Sequence, residues 1–182
     1  HCEVAIAALR LGKHVLCEKP MATSISDCEA MVKAADEAGK KLLIGNNQRL
    51  TAAHRTAKKL IEEGLIGNIL TFKTTFGHSG PETWSINPGP DVWFFNKKAA
   101  VMGAMGDLGI HKTDLIEFLT GQTIVETTAK LATLDKKSSD GKLIRVDDNA
   151  FCIYKLKNGI LGTMTASWTY YGPEDNSTVL YG

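Results

Sequence analysis

Several features that would assign a protein to a class at first sight are missing from this sequence. No run of apolar residues is long enough to cross a bilayer, and no internal repeat or low-complexity tract occurs. The formal net charge is only +1, so there is neither a strong basic field for nucleic acid nor an acidic solvating tail. We therefore expect no nucleic-acid partner and no membrane partner.

Cysteine is scarce and carries no recognisable pattern. The four residues, Cys2, Cys17, Cys28 and Cys152, form no CxxC pair and fit no zinc spacing. We expect reduced, mostly buried thiols in a cytoplasmic protein and no metal site. The 182 residues, 43% hydrophobic and 23% charged, suit a soluble globular chain with one good core or parts of two smaller ones.

The first third of the chain alternates between helical and strand patterns. Helices are expected at about 1–12, 26–38 and 52–63, with Ser24 or Ser26 as the cap of the second. The apolar runs 14–17 and 42–44 are typical of buried parallel strands. This alternation predicts an α/β fold, part of a Rossmann-type parallel sheet whose loops after the strands face a ligand crevice.

The pattern changes near Asn68. Residues 69–77 alternate as a half-buried strand, a helix is expected at about 103–119, and Asn158-Gly159 is a strong hairpin turn. Further strands are expected at 124–134, 148–157, 160–170 and 176–181. We predict a boundary between domains 1–67 and 68–182, the second an α+β domain with a large, mostly antiparallel open sheet. One exposed sheet face favours a homo-oligomer.

Both ends of the chain look interrupted. His1 lies inside an apparent helix, and residues 179–182 read as a strand cut short. We therefore expect a fragment, with the second domain truncated at its C-terminus.

The segment Glu18-Lys19-Pro20 places two charges directly after a buried strand. In a doubly wound sheet this position opens on the ligand crevice, and charges there are costly unless they are paired or used. The lysine can contact a substrate hydroxyl, and Pro20 can fix the turn, as a cis peptide if need be. A surface salt bridge at a strand end is an equally good interpretation.

A second set of polar residues follows the glycines of the segment 103–109. Asp107 and His111 are four residues apart, so they share one helix face, and Asp114 lies one turn further on. An imidazole with a carboxylate within reach is suited to proton transfer near neutral pH. The alternatives are an ordinary helical ion pair or two metal ligands, although no HExxH-like partner occurs.

Three weaker candidates remain open. The loop Asn46-Asn47-Gln48-Arg49 follows the second strand and suits recognition of hydroxyls, but it also suits helix capping. Aromatic residues in the irregular segment 78–100 fit either a sugar-binding wall or local core: Trp84, Trp93, Phe94 and Phe95. Asp147-Asp148 either faces the substrate or starts a strand, and Trp168 suits sheet packing or a subunit interface.

Together these motifs resemble the Gfo/Idh/MocA oxidoreductases, which include glucose–fructose oxidoreductase and inositol dehydrogenase. The resemblance rests on three groups of residues: His1 with Leu11-Gly12-Lys13-His14-Val15, then Glu18-Lys19-Pro20, then Asp107-x-Gly109-x-His111-x-x-Asp114. It implies a dinucleotide-binding domain, of which residues 1–67 would be the C-terminal part, followed by a substrate and oligomerisation domain. It also implies NAD or NADP as cofactor and a sugar, inositol or related polyol as substrate.

The resemblance assigns roles residue by residue. Lys19, His111 and Asp107 match the catalytic residues, with His111 as acid/base and Asp107 as the carboxylate that orients it. Glu18, Lys19, Pro20 and His1 match the cofactor side, whereas Asn47, Arg49, Asp107 and His111 match the substrate side. A hydride would pass from a secondary alcohol to the nicotinamide while His111, helped by Lys19, takes the hydroxyl proton.

Two departures from the family pattern are visible. Val101 and Met102 stand where the family usually carries glycines, which leaves the shape of that loop open. The glycine-rich dinucleotide fingerprint is absent, so we expect this fragment alone to be inactive. Two other functions on the same scaffold stay open: an NAD-dependent glycoside hydrolase-like enzyme and a non-catalytic ligand sensor.

Overall fold

A computed structural model describes all 182 residues and divides them into two compact units, His1–Asn47 and Gln48–Gly182. The predicted boundary near residue 68 lies about 20 residues further along the chain. The helix at 52–62 groups with the second unit because it packs there: Lys58 Nζ donates to the Leu119 carbonyl at 3.5 Å, and its ammonium lies 6.0 Å from the centre of the Phe118 ring.

The first unit is a two-stranded parallel sheet with two helices. Its elements are α1 (Cys2–Arg10), β1 (Val15–Cys17), α2 (Ile25–Ala38) and β2 (Leu42–Ile44). The strands pair in parallel with Val15 opposite Leu42, as the strand–helix alternation predicts. Of the two candidate caps of α2, Ser24 is the one used: its Oγ accepts from the Asp27 N–H at 3.1 Å.

Small and apolar side chains of α1 and α2 pack on β1 and β2 in the first unit. Its fully or nearly fully buried residues are Ala5, Leu9, Cys17, Met31, Ala34 and Ala35. All four cysteines of the chain are free thiols. No helix of the chain is both long and apolar enough to cross a membrane.

The second unit is an open five-stranded sheet packed against one main helix. Its elements are α3 (Ala52–Glu62), β3 (Thr71–Gly77), α4 (Lys97–Ala100), α5 (Ile110–Thr120), β4 (Ile124–Ala132), β5 (Asn149–Leu156), β6 (Leu161–Ser167) and β7 (Thr178–Tyr181). The strand order is β4-β5-β6-β3-β7, and every pair is antiparallel except β3 with β6. The mostly antiparallel open sheet predicted from the sequence is therefore confirmed.

Alternation along the strands decides which face of this sheet is buried. In β5, Cys152, Tyr154 and Leu156 face the core, while Phe151 and Ile153 face outward. The Asn158-Gly159 turn joins β5 to β6, and Gly159 adopts φ 92°, a conformation that glycine reaches without strain. Because β3 and β6 run in parallel, their carboxyl ends meet at one edge of the sheet, where Gly77 lies opposite Ser167.

Candidate functional site

The predicted cofactor-side residues of the first unit lie together at the carboxyl end of β1. The Lys19–Pro20 peptide is cis, as the sequence allowed, and His1 Nδ1 lies 2.9 Å from the Pro20 carbonyl oxygen. The Lys19 N–H donates to Glu18 Oε2 at 3.3 Å, which turns the Glu18 carboxylate back over the strand end. The structure thus groups His1, Glu18, Lys19 and Pro20 at a single edge.

The chemistry of this edge fits the sugar end of a nicotinamide dinucleotide. A carboxylate accepts hydrogen bonds from ribose hydroxyls, and a lysine ammonium donates up to three. Both groups stand just past the carboxyl ends of two parallel strands, the place where open α/β sheets bind their ligands. That Glu18 and Lys19 bind the ribose, with Pro20 and His1 on the cofactor side, stays a prediction.

In the second unit the Asp107–His111 segment begins as a π turn and not as the regular helix that the sequence predicts. Residues Met105–Gly109 are π-helical, and α5 continues from Ile110. A π turn inserts an extra residue into the helical ladder and is frequent at functional sites. Asp107 is half-buried inside this turn, while His111 is buried in the first turn of α5 with its ring 6.0 Å from that of Phe76.

Asp147 anchors the start of this segment from the loop that precedes β5. Its carboxylate accepts from the Gly103 N–H at 2.9 Å and from the Met105 N–H at 2.7 Å, while its carbonyl accepts from the Ala104 N–H at 2.8 Å. A Cβ at Gly103 would lie 1.8 Å from that carbonyl oxygen, so only glycine fits. Asp147 therefore caps the π turn, and a substrate contact by this residue stays a prediction.

Val101, one of the two departures from the family's glycines, adopts a strained backbone. Its φ is 65° and its ψ is −49°, a conformation that a β-branched residue rarely occupies. The Lys97 ammonium donates to the Val101 carbonyl at 2.6 Å, and the Val101 N–H donates to the Lys97 carbonyl at 3.1 Å. These two contacts hold a turn whose backbone is strained at Val101.

Trp168 holds the carboxylate of Asp107. This indole is fully buried in the core of the second unit, and its Nε1–H donates to Asp107 Oδ2 at 3.2 Å. It follows directly after β6, at the sheet edge where β3 also ends. The sequence interpretation of Trp168 as packing is correct as far as it goes, but it missed this hydrogen bond.

His78 is a further residue of the same edge that sequence reasoning missed. It follows β3, its backbone N–H donates to the Ser167 carbonyl at 3.0 Å, and its Nδ1 accepts from the Gly80 N–H at 3.0 Å. Burial lowers the pKa of His78 from its ordinary value, and the nearby Asp107 carboxylate opposes that shift only in part. The ring is therefore neutral at pH 7, with its proton on Nε2. Its position directly after an alternating strand was the available signal.

Arg49 is engaged by Asp114 in the second unit. Nε of Arg49 donates to Asp114 Oδ2 at 2.6 Å, Nη2 donates to Oδ1, and the guanidinium lies 5.7 Å from the centre of the Phe118 ring. The hydrogen bond to Asp114 raises the pKa of Arg49. This bidentate pair fixes the 3₁₀ turn of residues 47–50 to α5, and a substrate contact by Arg49 stays a prediction.

The neighbouring residues of this turn have separate contacts. Gln48 Nε2 donates to Asn176 Oδ1 at 3.2 Å in the second unit, and the Asn47 N–H donates to the Gly45 carbonyl at 2.8 Å in the first. A substrate contact by Asn47 likewise stays a prediction. No group of three or more His, Cys, Asp or Glu side chains is placed to hold a metal ion.

Comparison with known proteins assigns both parts of the chain. Residues 54–182 match the GFO/IDH/MocA C-terminal domain, and residues 1–46 match the oxidoreductase family with an NAD-binding Rossmann fold. The chain belongs to the Gfo/Idh/MocA family of oxidoreductases. The resemblance on the Glu18-Lys19-Pro20 and Asp107–Asp114 motifs is thereby confirmed.

Curated relatives include dehydrogenases of sugars and inositols. Levoglucosan dehydrogenase of Pseudarthrobacter phenanthrenivorans is 33% identical over 94% of this chain and 47% of its own length. Glucose-6-phosphate 3-dehydrogenase of Bacillus subtilis is 32% identical over 92% of this chain and 47% of its own length. The chain therefore spans about half the length of the curated relatives it matches.

Solved structures give the same family. A levoglucosan dehydrogenase in complex with NADH and levoglucosan matches with a TM-score of 0.88 and 32% identity, over 100% of this chain and 49% of that one. An aldose-aldose oxidoreductase from Caulobacter crescentus, complexed with glycerol, matches with a TM-score of 0.86 and 30% identity, over 100% and 50%. The fold of this family member is thus that of known oxidoreductases over its whole length.

Proposed function

We propose that the complete protein that contains this chain is an NAD(P)-dependent dehydrogenase of a sugar, inositol or related polyol. The observation that carries the proposal is the Asp107–His111 segment, a π turn held by Asp147 and Trp168 in a chain of an NAD-binding oxidoreductase family. A fixed carboxylate one turn from a buried imidazole is suited to accepting the proton of a secondary alcohol. The carbohydrate dehydrogenases among the relatives support the substrate class.

In this mechanism the side chains supply placement and proton transfer. His111 accepts the hydroxyl proton of the substrate, and Asp107 keeps the imidazole oriented. Lys19 donates a hydrogen bond to a substrate hydroxyl, and Glu18 would bind the ribose hydroxyls of the cofactor. When bound, NAD or NADP supplies the chemistry of a hydride acceptor.

Turnover of the complete protein tests this function. The protein is incubated with NAD or NADP and a panel of sugars and cyclitols, and formation of reduced cofactor is followed by absorbance. His111→Ala should lower kcat by about 10²- to 10⁴-fold, the usual contribution of general acid–base catalysis. Lys19→Ala should also remove turnover, while Lys33→Ala, a change of an exposed lysine on α2, should not. Full activity in both His111→Ala and Lys19→Ala would refute these roles.

A second candidate is an enzyme that keeps its cofactor bound and oxidises the substrate only transiently. One relative, from Escherichia coli, is named 2,7-anhydro-N-acetylneuraminate hydratase, a reaction without net oxidation, and it is 32% identical over 96% of this chain. Cofactor that co-purifies with the protein, together with product formation but no net reduced cofactor, would identify this function. A ligand sensor would bind sugar without any reaction.

We also propose that the complete protein forms a homo-oligomer through the outward face of its sheet. Exposed apolar side chains of β5, β6 and β7 lie on that face: Phe151, Ile153, Leu161, Val179 and Tyr181. Light scattering after gel filtration should give more than one copy, and Ile153→Lys should reduce the mass to that of a single chain. A wild-type monomer would exclude this assembly.

The four free thiols favour a reducing compartment, so we propose a cytoplasmic location. Fractionation of the source cells followed by immunodetection of the protein checks it. Recovery from a secreted fraction would contradict the proposal.

A further inference from the structure

A series of aromatic contacts links the two members of the Asp107–His111 pair. From His111 the rings follow in the order Phe76, His78, Trp84, Phe94 and Trp168. The distances between successive ring centres along this series are 6.0, 5.9, 6.0, 5.4 and 6.3 Å. The Trp168 indole then donates to Asp107. All of these residues belong to the second unit. We call this set the aromatic series.

Trp84 is the member of the aromatic series that offers a surface to a ligand. Its side chain remains 53% exposed, although it meets His78 edge-on at 86° and Phe94 at 68°. Large aromatic side chains bury much area when a partner is present, so an indole held half exposed beside a buried acid/base candidate is a ready contact surface. Three ring contacts link Trp84 to His111, and two link it to Trp168.

The loop that carries Trp84 is fixed by buried interactions. Lys136 is almost fully buried; its ammonium donates to Glu82 and to the Ser79 carbonyl, and it lies 4.6 Å from the centre of the Tyr171 ring. Thr83 Oγ1 donates to the Gly80 carbonyl at 2.7 Å. An indole on a fixed loop loses little conformational entropy when it binds a ligand, which favours affinity.

His78 adds a polar group beside the indole. Its Nδ1 is occupied by the Gly80 N–H, so Nε2 carries the proton of the neutral ring and is a hydrogen-bond donor. The ring lies edge-on to both Phe76 and Trp84, at 85° and 86°. An apolar face next to a neutral donor matches a sugar ring, which presents C–H groups on one face and hydroxyls at its rim.

We propose that Trp84 and His78 form a carbohydrate subsite next to the Asp107–His111 pair. The Trp84 indole packs on the C–H face of a pyranose or cyclitol ring, and His78 Nε2–H donates to one of its hydroxyls. This inference rests on the proposed dehydrogenase function and extends it, because it selects ring-shaped substrates over open-chain polyols.

Substitution of Trp84 in the complete protein tests the packing surface. Binding of levoglucosan and scyllo-inositol is measured by titration calorimetry in the presence of reduced cofactor, and turnover is measured in parallel with glycerol as an open-chain comparison. Trp84→Ala should weaken binding of the ring compounds roughly tenfold, with a smaller effect on the KM for glycerol, while Trp84→Phe keeps most of the affinity. Ile86→Ala, at a 98% exposed apolar residue of the same loop, should leave all values unchanged.

The outcomes separate this proposal from the proposed function. If ring compounds bind with the expected dependence on Trp84 but no reduced cofactor forms with any compound, the subsite stands and the dehydrogenase function fails. If turnover occurs and Trp84→Ala leaves the affinity for ring compounds unchanged, the subsite is wrong and the function stands. Failure of the wild-type protein to bind any ring compound also overturns the subsite.

Two substitutions of His78 separate its donor from its structural role. In His78→Asn the amide oxygen can accept from the Gly80 N–H as Nδ1 does, but no donor remains at the position of Nε2. In His78→Gln a donor remains at that position. His78→Asn should raise the KM for ring compounds roughly tenfold with little change in kcat, and His78→Gln should restore much of the affinity. Equal KM values for wild type and His78→Asn would remove His78 from the subsite.

Discussion

The hydrogen bond from Trp168 to Asp107 can be removed almost in isolation. Trp168→Phe keeps an aromatic ring in the buried site beside Phe94 and Phe95, but it removes the Nε1–H that donates to Asp107 Oδ2 at 3.2 Å. A hydrogen bond to a charged group contributes about 1.5–3 kcal/mol. If that energy keeps Asp107 in its working orientation, its loss corresponds to roughly a 10- to 150-fold fall in kcat/KM.

The assay is steady-state formation of reduced cofactor by the complete enzyme, with kcat and KM measured separately. Because an orienting contact acts mainly in the transition state, kcat and kcat/KM should fall together in Trp168→Phe. Some stability is lost as well, since the smaller ring leaves a cavity in the core. Thermal unfolding is therefore measured on the same preparations.

Tyr154→Phe is the matched control. Its hydroxyl is 2.8 Å from Thr113 Oγ1, so this change also removes one buried hydrogen bond between the sheet and α5, but not one to Asp107. It should cost about 1 kcal/mol of stability and leave kcat unchanged. Equal kcat values in Trp168→Phe and Tyr154→Phe, at equal stability, would refute a positioning role for Trp168.

Three further predictions concern stability, measured by urea unfolding of the purified protein. Val101→Gly should raise the free energy of unfolding by about 1 kcal/mol, because the φ of 65° then carries no strain, whereas Val101→Ala should give no such gain. Asp147→Asn should lower it by about 2 kcal/mol and slow turnover, because the Gly103 and Met105 N–H groups lose a charged acceptor. Burial lowers the pKa of Lys112 from 10.5 in the unfolded chain to about 8 in the folded one. Between pH 8 and 10.5 the folded state has therefore lost a proton that the unfolded chain still binds, so the free energy of unfolding rises with pH. The wild type should therefore gain about 3 kcal/mol relative to Lys112→Met as the pH rises through that window.

Each of these predictions has an outcome that contradicts it. A loss of stability in Val101→Gly would mean that the side chain contributes more than the strain costs. Unchanged stability and kcat in Asp147→Asn would show that the π turn forms without its cap. Parallel pH dependences of wild type and Lys112→Met would place the Lys112 ammonium in a more polar environment than the fully buried position described above.

The order of elements followed from local patterns in the sequence. Alternation of apolar residues predicted β3, and the apolar runs at 14–17 and 42–44 predicted the parallel pair of the first unit. The Asn158-Gly159 turn was readable for the same reason, since a tight hairpin depends on two residues alone. Family membership followed from short motifs whose spacing is carried by the chain itself.

Contacts between distant residues had no local signal, and these were decided by tertiary structure. The domain division near residue 48 depends on which helix packs on which sheet, and the π turn at Met105–Gly109 depends on Asp147, 38 to 42 residues further along the chain. The Trp168–Asp107 hydrogen bond exists because the π turn that carries Asp107 packs against the end of β6. The sequence by itself singled out Asp107 and His111 as candidate site residues; only the tertiary structure linked Trp168, His78 and Trp84 to them by contacts.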